Sequence, residues 1–359
     1  QILFSVWLGG ERFDPDATAV TVTGMTEEDL PALAAFTHMK TFTLGGGSEL
    51  SLVEKIRAEH PQWDVQYLVT VGGTAYPGET RELVLEEQTY DEILRALTLF
   101  PELSTLELTN PKATGEELVA LREGYPGVQI GWKVEAYGLT FDEDTVEMDF
   151  TGAEGIDLEA VEIYADSMPK LEKLVLGECG IDNEQIAALR ERKREDYKVV
   201  WTVMCGTIPV RTDETFFQPI QHYVYYFFDE DTYNLRYCED MICIDVGHMS
   251  LHNCEWVKGM PNLKYLVLAH TTVLDLTPLN TCKNLVFLEL DWSCIRDVSP
   301  LVGCTGLEDL NIGKTYADVE PILEMTWLKN VYMILRGKAG VVGQALPDTR
   351  VITSADPEA

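Results

Sequence analysis

Basic residues are scarce. The chain carries 27 lysines and arginines against 60 aspartates and glutamates, a formal net charge of −33 over 359 residues. That deficit excludes a nucleic-acid binder, which needs a positive footprint for the phosphate backbone. It also argues against docking on anionic membrane surfaces. Long apolar runs are missing. No stretch approaches the roughly 20 residues that span a bilayer, so no membrane insertion is expected. Catalytic signatures are absent: no G-x-S-x-G, no H-E-x-x-H and no phosphate-cradling glycine loop ending in Lys-Ser/Thr. Gly45-Gly46-Gly47-Ser48 is the nearest glycine cluster; lacking the lysine, it reads as a turn out of a strand. The 8 cysteines have neither C-x-x-C nor zinc-ligand spacing. These gaps point away from an enzyme and from any metal or cofactor. Cysteine usage leaves the compartment open.

What is present is periodicity. Leu263, Leu285 and Leu307 fall 22 residues apart and open the same phrase. The phrase runs Leu263, Leu266, Leu268, then Thr271, Val273, Leu276, Pro278 and Leu279. It recurs as Leu285, Leu288, Leu290, then Ser293, Ile295, Val298, Pro300 and Leu301. Leu307, Leu310 and Ile312 open a third copy, one residue shorter before Pro321 and Ile322. Met241/Ile244/Val246 and Leu328/Val331/Met333 make weaker copies at either end. Side chains alternate along a strand, so Leu266 and Leu268 point inward while Val267 points out. One coil cannot bury its own apolar face; stacked neighbours do so together.

A longer repeat of about 65 residues occupies the chain before Pro209. Strand phrases open at Thr18, Thr80 and Thr145, and others follow at Met39/Phe42/Leu44, Leu103/Leu106/Leu108 and Leu171/Leu174/Leu176. Helical stretches come next at Leu52–His60, Glu116–Glu123 and Asn183–Arg194. Strands ending at Gly72, Gly138 and Gly206 close each unit. The link from Val134 to Val146 fits either a compact coil or a hairpin. Gln1–Gly10 matches the same strand-plus-glycine pattern, so the chain is expected to begin inside an element, with a leader sequence out of view. Phe216–Tyr237 breaks the periodicity. Its Tyr223, Tyr225, Tyr226, Phe227 and Phe228 are expected to pack as core at a junction; the rival reading is an aromatic binding patch beside Asp229-Glu230-Asp231. After Ile334 the phrase decays through glycine-rich Gly337–Gly343 to a last short strand at Leu346–Ile352, and Ser354–Ala359 reads as a tail.

The phrase L-x-x-L-x-L with a small polar residue after it, closed by Pro-Leu at a 22-residue period, resembles the internalin-type leucine-rich repeat. The longer strand–helix–strand unit resembles the ribonuclease-inhibitor type. Ile244-Asp-Val-Gly-His-Met, Met260-Pro-Asn-Leu-Lys-Tyr-Leu and Leu307-Glu-Asp-Leu-Asn-Ile are similar to segments of bacterial surface leucine-rich proteins. The resemblance implies an α/β solenoid with a curved, mainly parallel sheet and an extracellular or cell-surface location. It implies no catalytic residues. The expected layout is long repeats over 1–209, an aromatic and acidic junction over 210–240, and 22-residue repeats with a cap over 241–359, within one continuous solenoid if the stacks join.

The functional expectation is a non-catalytic recognition module, acting as a monomer on a protein or peptide, with basic character favoured by the charge. A carbohydrate or cell-wall binder and a structural spacer are the alternatives. Between the inward leucines, Tyr265, Phe287, Glu289, Asp309 and Tyr332 must point outward. Aromatics among acids are the composition of interface anchors. His248 and His270 lie 22 residues apart, with Trp292 and Lys314 continuing the same column just past the strand. A two-histidine metal site lacks a third ligand there. Cys238, Cys282 and Cys304 share another column, with Met260 in the vacant place, which describes a buried slot. Cys282 and Cys304 stand one coil apart, within reach of a disulfide.

Overall fold

The computed structural model describes residues 5–46, 50–334 and 336–353. Phe4, Gly47, Ser48 and the Ser354–Ala359 tail lie outside the described residues. Two compact units emerge, 1–148 with 154–173, and 149–153 with 174–359.

Unit 1 is built twice over the same plan. Ala19–Thr23, Thr41–Gly45 and the long strand Asp64–Val71 run parallel, and Thr74–Pro77 folds back antiparallel on the far half of that long strand. Glu82–Glu86, Thr105–Thr109, Gln129–Ala136 and Leu139–Asp142 repeat the arrangement. The Val134–Val146 link is therefore a hairpin. Its two-residue turn, Tyr137-Gly138, has φ of 54° and 78°, and Gly72-Gly73 has 55° and 79°. Both-positive turns match the right-handed twist of the flanking strands, which is why glycine recurs there. The hairpin Val6–Leu8 with Glu11–Phe13 turns the same way through Gly9-Gly10.

Helices connect the parallel strands. Tyr90–Leu99, unmarked by the sequence spacing, and Gly115–Gly124 each start at a capping box, Thr89 with Glu92 and Thr114 with Glu117. Gly115–Gly124 turns Leu118 and Leu121 inward. Leu50–Glu59 sends Arg57 across to the Val65 carbonyl at 2.8 Å, and Arg122 makes the same reach to Ile130 at 3.1 Å. Each helix is thereby tied to the strand it precedes.

In unit 2, Thr202–Cys205 and Ile208–Arg211 form a further hairpin. A seven-stranded sheet follows, every strand parallel: Phe216–Phe217, Cys243–Asp245, Tyr265–Val267, Phe287–Glu289, Asp309–Asn311, Asn330–Tyr332 and Arg350–Ile352. The register is residue for residue. Ile244, Leu266, Leu288, Leu310 and Val331 stand side by side, each fully buried. Short 3-10 helices return the chain at Glu255–Gly259, Thr277–Thr281, Ser299–Gly303 and Glu320–Glu324. Pro278, Pro300 and Pro321 open three of them, where a backbone N–H would have no partner. Asp275 and Asp297 accept the next available N–H, from Thr277 and Ser299, at 2.8 Å each. Arg336–Ala345 is an α-helix with Ala339 and Val342 buried, so the glycine-rich stretch is more ordered than its composition suggests.

The aromatic segment departs from expectation. Of Tyr223, Tyr225, Tyr226, Phe227 and Phe228, only Phe227 is buried; Tyr223 is 82% and Tyr226 79% exposed. Phe216–Phe217 already belongs to the sheet, so periodicity resumes before the supposed junction ends. From Phe217 to Ile244 is 27 residues, against 22 from Ile244 to Leu266, and both pairs occupy equivalent sheet positions. The extra five residues cannot enter the stack. Tyr223, in a left-handed conformation at φ 61°, turns them out.

Cys238, Cys282 and Cys304 line one buried column with Met260 and Met325. All three are free thiols. Cys282 and Cys304 form no bridge; their Sγ atoms instead lie 3.7 Å and 3.5 Å from the Val257 and Leu279 carbonyls. Burial pushes the Cys238 thiol up to about 12 and the Cys304 thiol up to about 11. These cysteines are inert packing, in contrast to exposed Cys294. Ellman's reagent at pH 8 should titrate Cys294 in the native protein and reach Cys238, Cys282 and Cys304 only on unfolding. Fast native reaction of all three would place their column outside the core. The stack itself is tested at Leu288, where Leu288→Ala should cost about 2–5 kcal/mol in urea unfolding; an unchanged midpoint would mean a wrong register.

Candidate ligand-binding face

The outward side of the seven-stranded sheet carries two rows. Phe216, Cys243, Tyr265, Phe287, Asp309 and Asn330 form the first, each opposite the next. Asp245, Val267, Glu289, Asn311 and Tyr332 form the second. The first row is apolar over four strands and polar beyond Phe287. Tyr265 is 44% exposed, and its neighbours in both rows are mostly half-buried. Asp309 sits beside Phe287 in the first row. Tyr332 stands two strands from Glu289, with Asn311 between them.

A third column lies just past the strands. His248, His270, Trp292 and Lys314 all adopt left-handed backbone, with φ of 65°, 57°, 56° and 50°. Their N–H groups donate to the next coil: His248 to Ala269, His270 to Asp291 and Trp292 to Gly313, at 2.8 to 2.9 Å. The side chains consequently stack. The His248 and His270 rings are 4.1 Å apart, His270 and Trp292 4.9 Å, and Lys314 Nζ lies 4.2 Å over the Trp292 ring. The last is a cation–π contact. The 22-residue spacing reveals this column; the left-handed conformation behind it leaves no mark in such varied residue types.

Between the second row and the ladder the chain places Gly247, Ala269, Asp291 and Gly313. A Cβ on Gly313 would meet the Asp291 carboxylate at 2.4 Å, so the small residue makes room for that acid. Asp245 fixes its own turn, accepting from Gly247 N–H at 3.0 Å and from Gln218 Nε2 at 2.6 Å. Asn311 Oδ1 does the same for Gly313 N–H at 2.9 Å, while its amide reaches Glu289 at 3.4 Å. Burial first, then Asp291 and Asp245, hold the Glu289 carboxyl above the usual carboxylate range, with His248 opposing them. Glu289, Asp291 and Asp245 thus form an acidic strip flanked by aromatics on both sides. Strand alternation turns Asp245 outward with Glu289, whereas Asp291, beyond the strand, carries no signal in the spacing because acids are common throughout this chain. Among the described residues no group of three His, Cys, Asp or Glu side chains could hold a metal ion.

No protein-family model matches the sequence, and no curated protein matches it. Solved structures with a similar fold include an internalin C2 of Listeria monocytogenes, at 16% identity, covering 79% of this chain and 93% of that one with a TM-score of 0.27. A second Listeria monocytogenes internalin is 15% identical over 86% of this chain and 89% of its own, at 0.30. A leucine-rich repeat protein of Leptospira interrogans is 14% identical over 89% and 91%, also at 0.30. The fold is an α/β leucine-rich repeat solenoid with mainly parallel sheets. That assignment rests on the chain's own in-register repeats.

Glu289 supplies a pH test of the strip. An unfolded glutamate titrates near 4.3. Because the folded value is raised, Glu289 favours folding below that pH, and the contribution is lost as pH rises through the folded value. Glu289→Gln should therefore melt above the parent at pH 7 and level with it at pH 4. Equal melting at both pH values would mean that the carboxylate is not crowded.

Proposed function

We propose that this protein is a non-catalytic recognition module that binds a basic protein or peptide on the outward face of its seven-stranded sheet, at a bacterial cell surface. The observation that carries the reading is the register: it sets exposed Tyr265 and half-buried Phe287 beside Glu289, with Trp292 held in the adjoining ladder. Tyr265, Phe287 and Trp292 serve as anchors. Glu289 and Asp309 select a cationic or hydroxyl-bearing group. The net charge of −33 supports a basic partner by steering its approach. His248 and His270 hold Trp292 from one side of the column. A carbohydrate partner is less well served, because Lys314 and His270 already lie against the Trp292 ring that a sugar would stack on.

Selection of a displayed random-peptide library on the immobilised protein tests this. Recovered sequences should be enriched in Lys and Arg together with an aromatic residue, and their binding should weaken in high salt. Phe287→Ala and Trp292→Ala should each weaken the selected peptides by more than about 1 kcal/mol while leaving the melt intact. Peptides that bind both variants normally would place the recognition surface elsewhere.

A further inference from the structure

One 3-10 return of unit 2 carries an unexpected residue at the place where proline recurs. Where three coils carry Pro278, Pro300 and Pro321, the coil before them carries Trp256. The indole is 4% exposed, and its N–H has no acceptor. Trp327, by contrast, donates to the Cys304 carbonyl at 3.1 Å. An unmet buried donor is unfavourable and calls for an explanation.

Trp256 lines an open cavity of about 670 Å³. The cavity is walled by the helix Asn183–Arg192, through Ala187 and Arg190, and by the 3-10 helix Asp229–Tyr237, through Tyr233, Arg236 and Tyr237. Nothing in the sheet face contributes to it. The Arg236 guanidinium lies 3.8 Å from the Tyr233 ring centroid and 4.9 Å from that of Tyr237, so the aromatic wall is backed by a cation. Arg190 reaches the Tyr237 carbonyl at 2.7 Å and Glu239 at 2.9 Å, yet its Nε–H also lacks an acceptor. Nearby acceptors are engaged. Asp229 takes the His252 and Asn253 N–H groups, Glu255 pairs with Lys258, and Glu184 binds Arg236 and the Tyr237 hydroxyl. Glu230, exposed at the rim, is the lining acid left over. Both N–H groups are buried and have no acceptor within the protein.

We propose that this cavity is a binding site for a flat aromatic molecule bearing a carbonyl or carboxylate oxygen. The ring packs among Tyr233, Tyr237 and Trp256. The oxygen supplies the acceptor that the chain withholds from Trp256, the indole turning toward the cavity as the ligand enters, beside the positive charge of Arg190 and Arg236. A cationic ligand that offers only donors, such as an ammonium, leaves the Trp256 N–H unmet and adds a positive charge beside Arg190 and Arg236. Pockets of this size, apolar with a few unsatisfied polar groups, are where small molecules bind.

Three ligands that share one ring test the assignment by saturation-transfer NMR and calorimetry: indole-3-acetamide, indole-3-acetate and tryptamine. The amide and the acetate should bind the wild-type protein, with tryptamine at least tenfold weaker. Preference for the amide over the acetate would report the influence of Glu230 within the same site. Ala187→Trp, which fills the cavity, should abolish binding with the melt retained, and Trp256→Phe should weaken the amide at least fivefold. Phe287→Ala should change nothing, which separates this site from the sheet face. Equal binding of all three ligands, no binding of any, or unchanged binding to folded Ala187→Trp would overturn the proposal. The ligand series decides the matter in the wild-type protein even if a variant fails to fold.

Discussion

Ten coils leave their strand through a left-handed residue, and much of the structure depends on that turn. Gly24, Gly46, Glu87, Asn110, Gly152, Glu178, His248, His270, Trp292 and Lys314 all hold φ between 50° and 77°. Each stands two residues beyond the last inward side chain of its strand. For a residue other than glycine the conformation costs about 1–2 kcal/mol. The return is a backbone hydrogen bond to a neighbouring coil: Glu87 to Thr109, Asn110 to Lys133, Gly152 to Gly177 and His270 to Asp291. Since the turn recurs at one level, side chains there stack at the coil spacing. The histidine–tryptophan–lysine ladder is a consequence of this constraint. Its residue types are free to vary because only the backbone is fixed.

The same separation explains what the sequence discloses. Inward positions are legible because the stack demands apolar residues at a fixed period; Leu266, Leu288 and Leu310 could be placed from spacing alone. The cysteine and histidine columns are legible for the same reason. Positions with no periodic demand are not. Tyr223, Tyr225 and Tyr226 look like core by composition, and their exposure follows only from counting the extra residues between Phe217 and Ile244. The hairpin at Tyr137-Gly138 needed its turn conformation to be distinguished from a coil. Trp256 could have been found, since a tryptophan at a proline position is a visible departure, but the unmet N–H that gives it meaning is a property of the packed structure.

Charge is distributed by a similar logic. Several of the few basic side chains are consumed inside the fold. Arg57 and Arg122 each lean on an aromatic ring of the strand their helix precedes, at 5.9 and 4.5 Å, Arg190 leans on Trp201 between two short strands at 4.8 Å, and each binds a backbone carbonyl as well. Guanidinium suits that position because it presents a flat face and several donors at once. Basic groups committed to structure leave the acids to dominate the surface. Within the sheet face the effect is concentrated at Asp245, Glu289 and Asp291, where partial burial reduces screening and a cation would be most strongly attracted.

The insertion after Phe217 and the tryptophan at 256 lie in one region of unit 2, from Phe216 to Gly259, and coil geometry bears on both. The helix Asn183–Arg192 belongs to a coil returned by an α-helix; the coils at Asp229–Tyr237, Glu255–Gly259, Thr277–Thr281, Ser299–Gly303 and Glu320–Glu324 are returned by 3-10 segments. An α-helix with its side chains is about 10–12 Å across, and a 3-10 turn is more tightly wound. Where coils of unlike cross-section adjoin, the difference in width has to be filled by side chains. Large aromatics take up the difference: Trp201 and Tyr237 meet at 5.6 Å, and Trp256 fills a place that proline holds elsewhere. What they leave unfilled is the cavity. The cavity lies where the helix Asn183–Arg192 meets the 3-10 returns, and Trp256 stands in its wall at the place where the following coils carry proline.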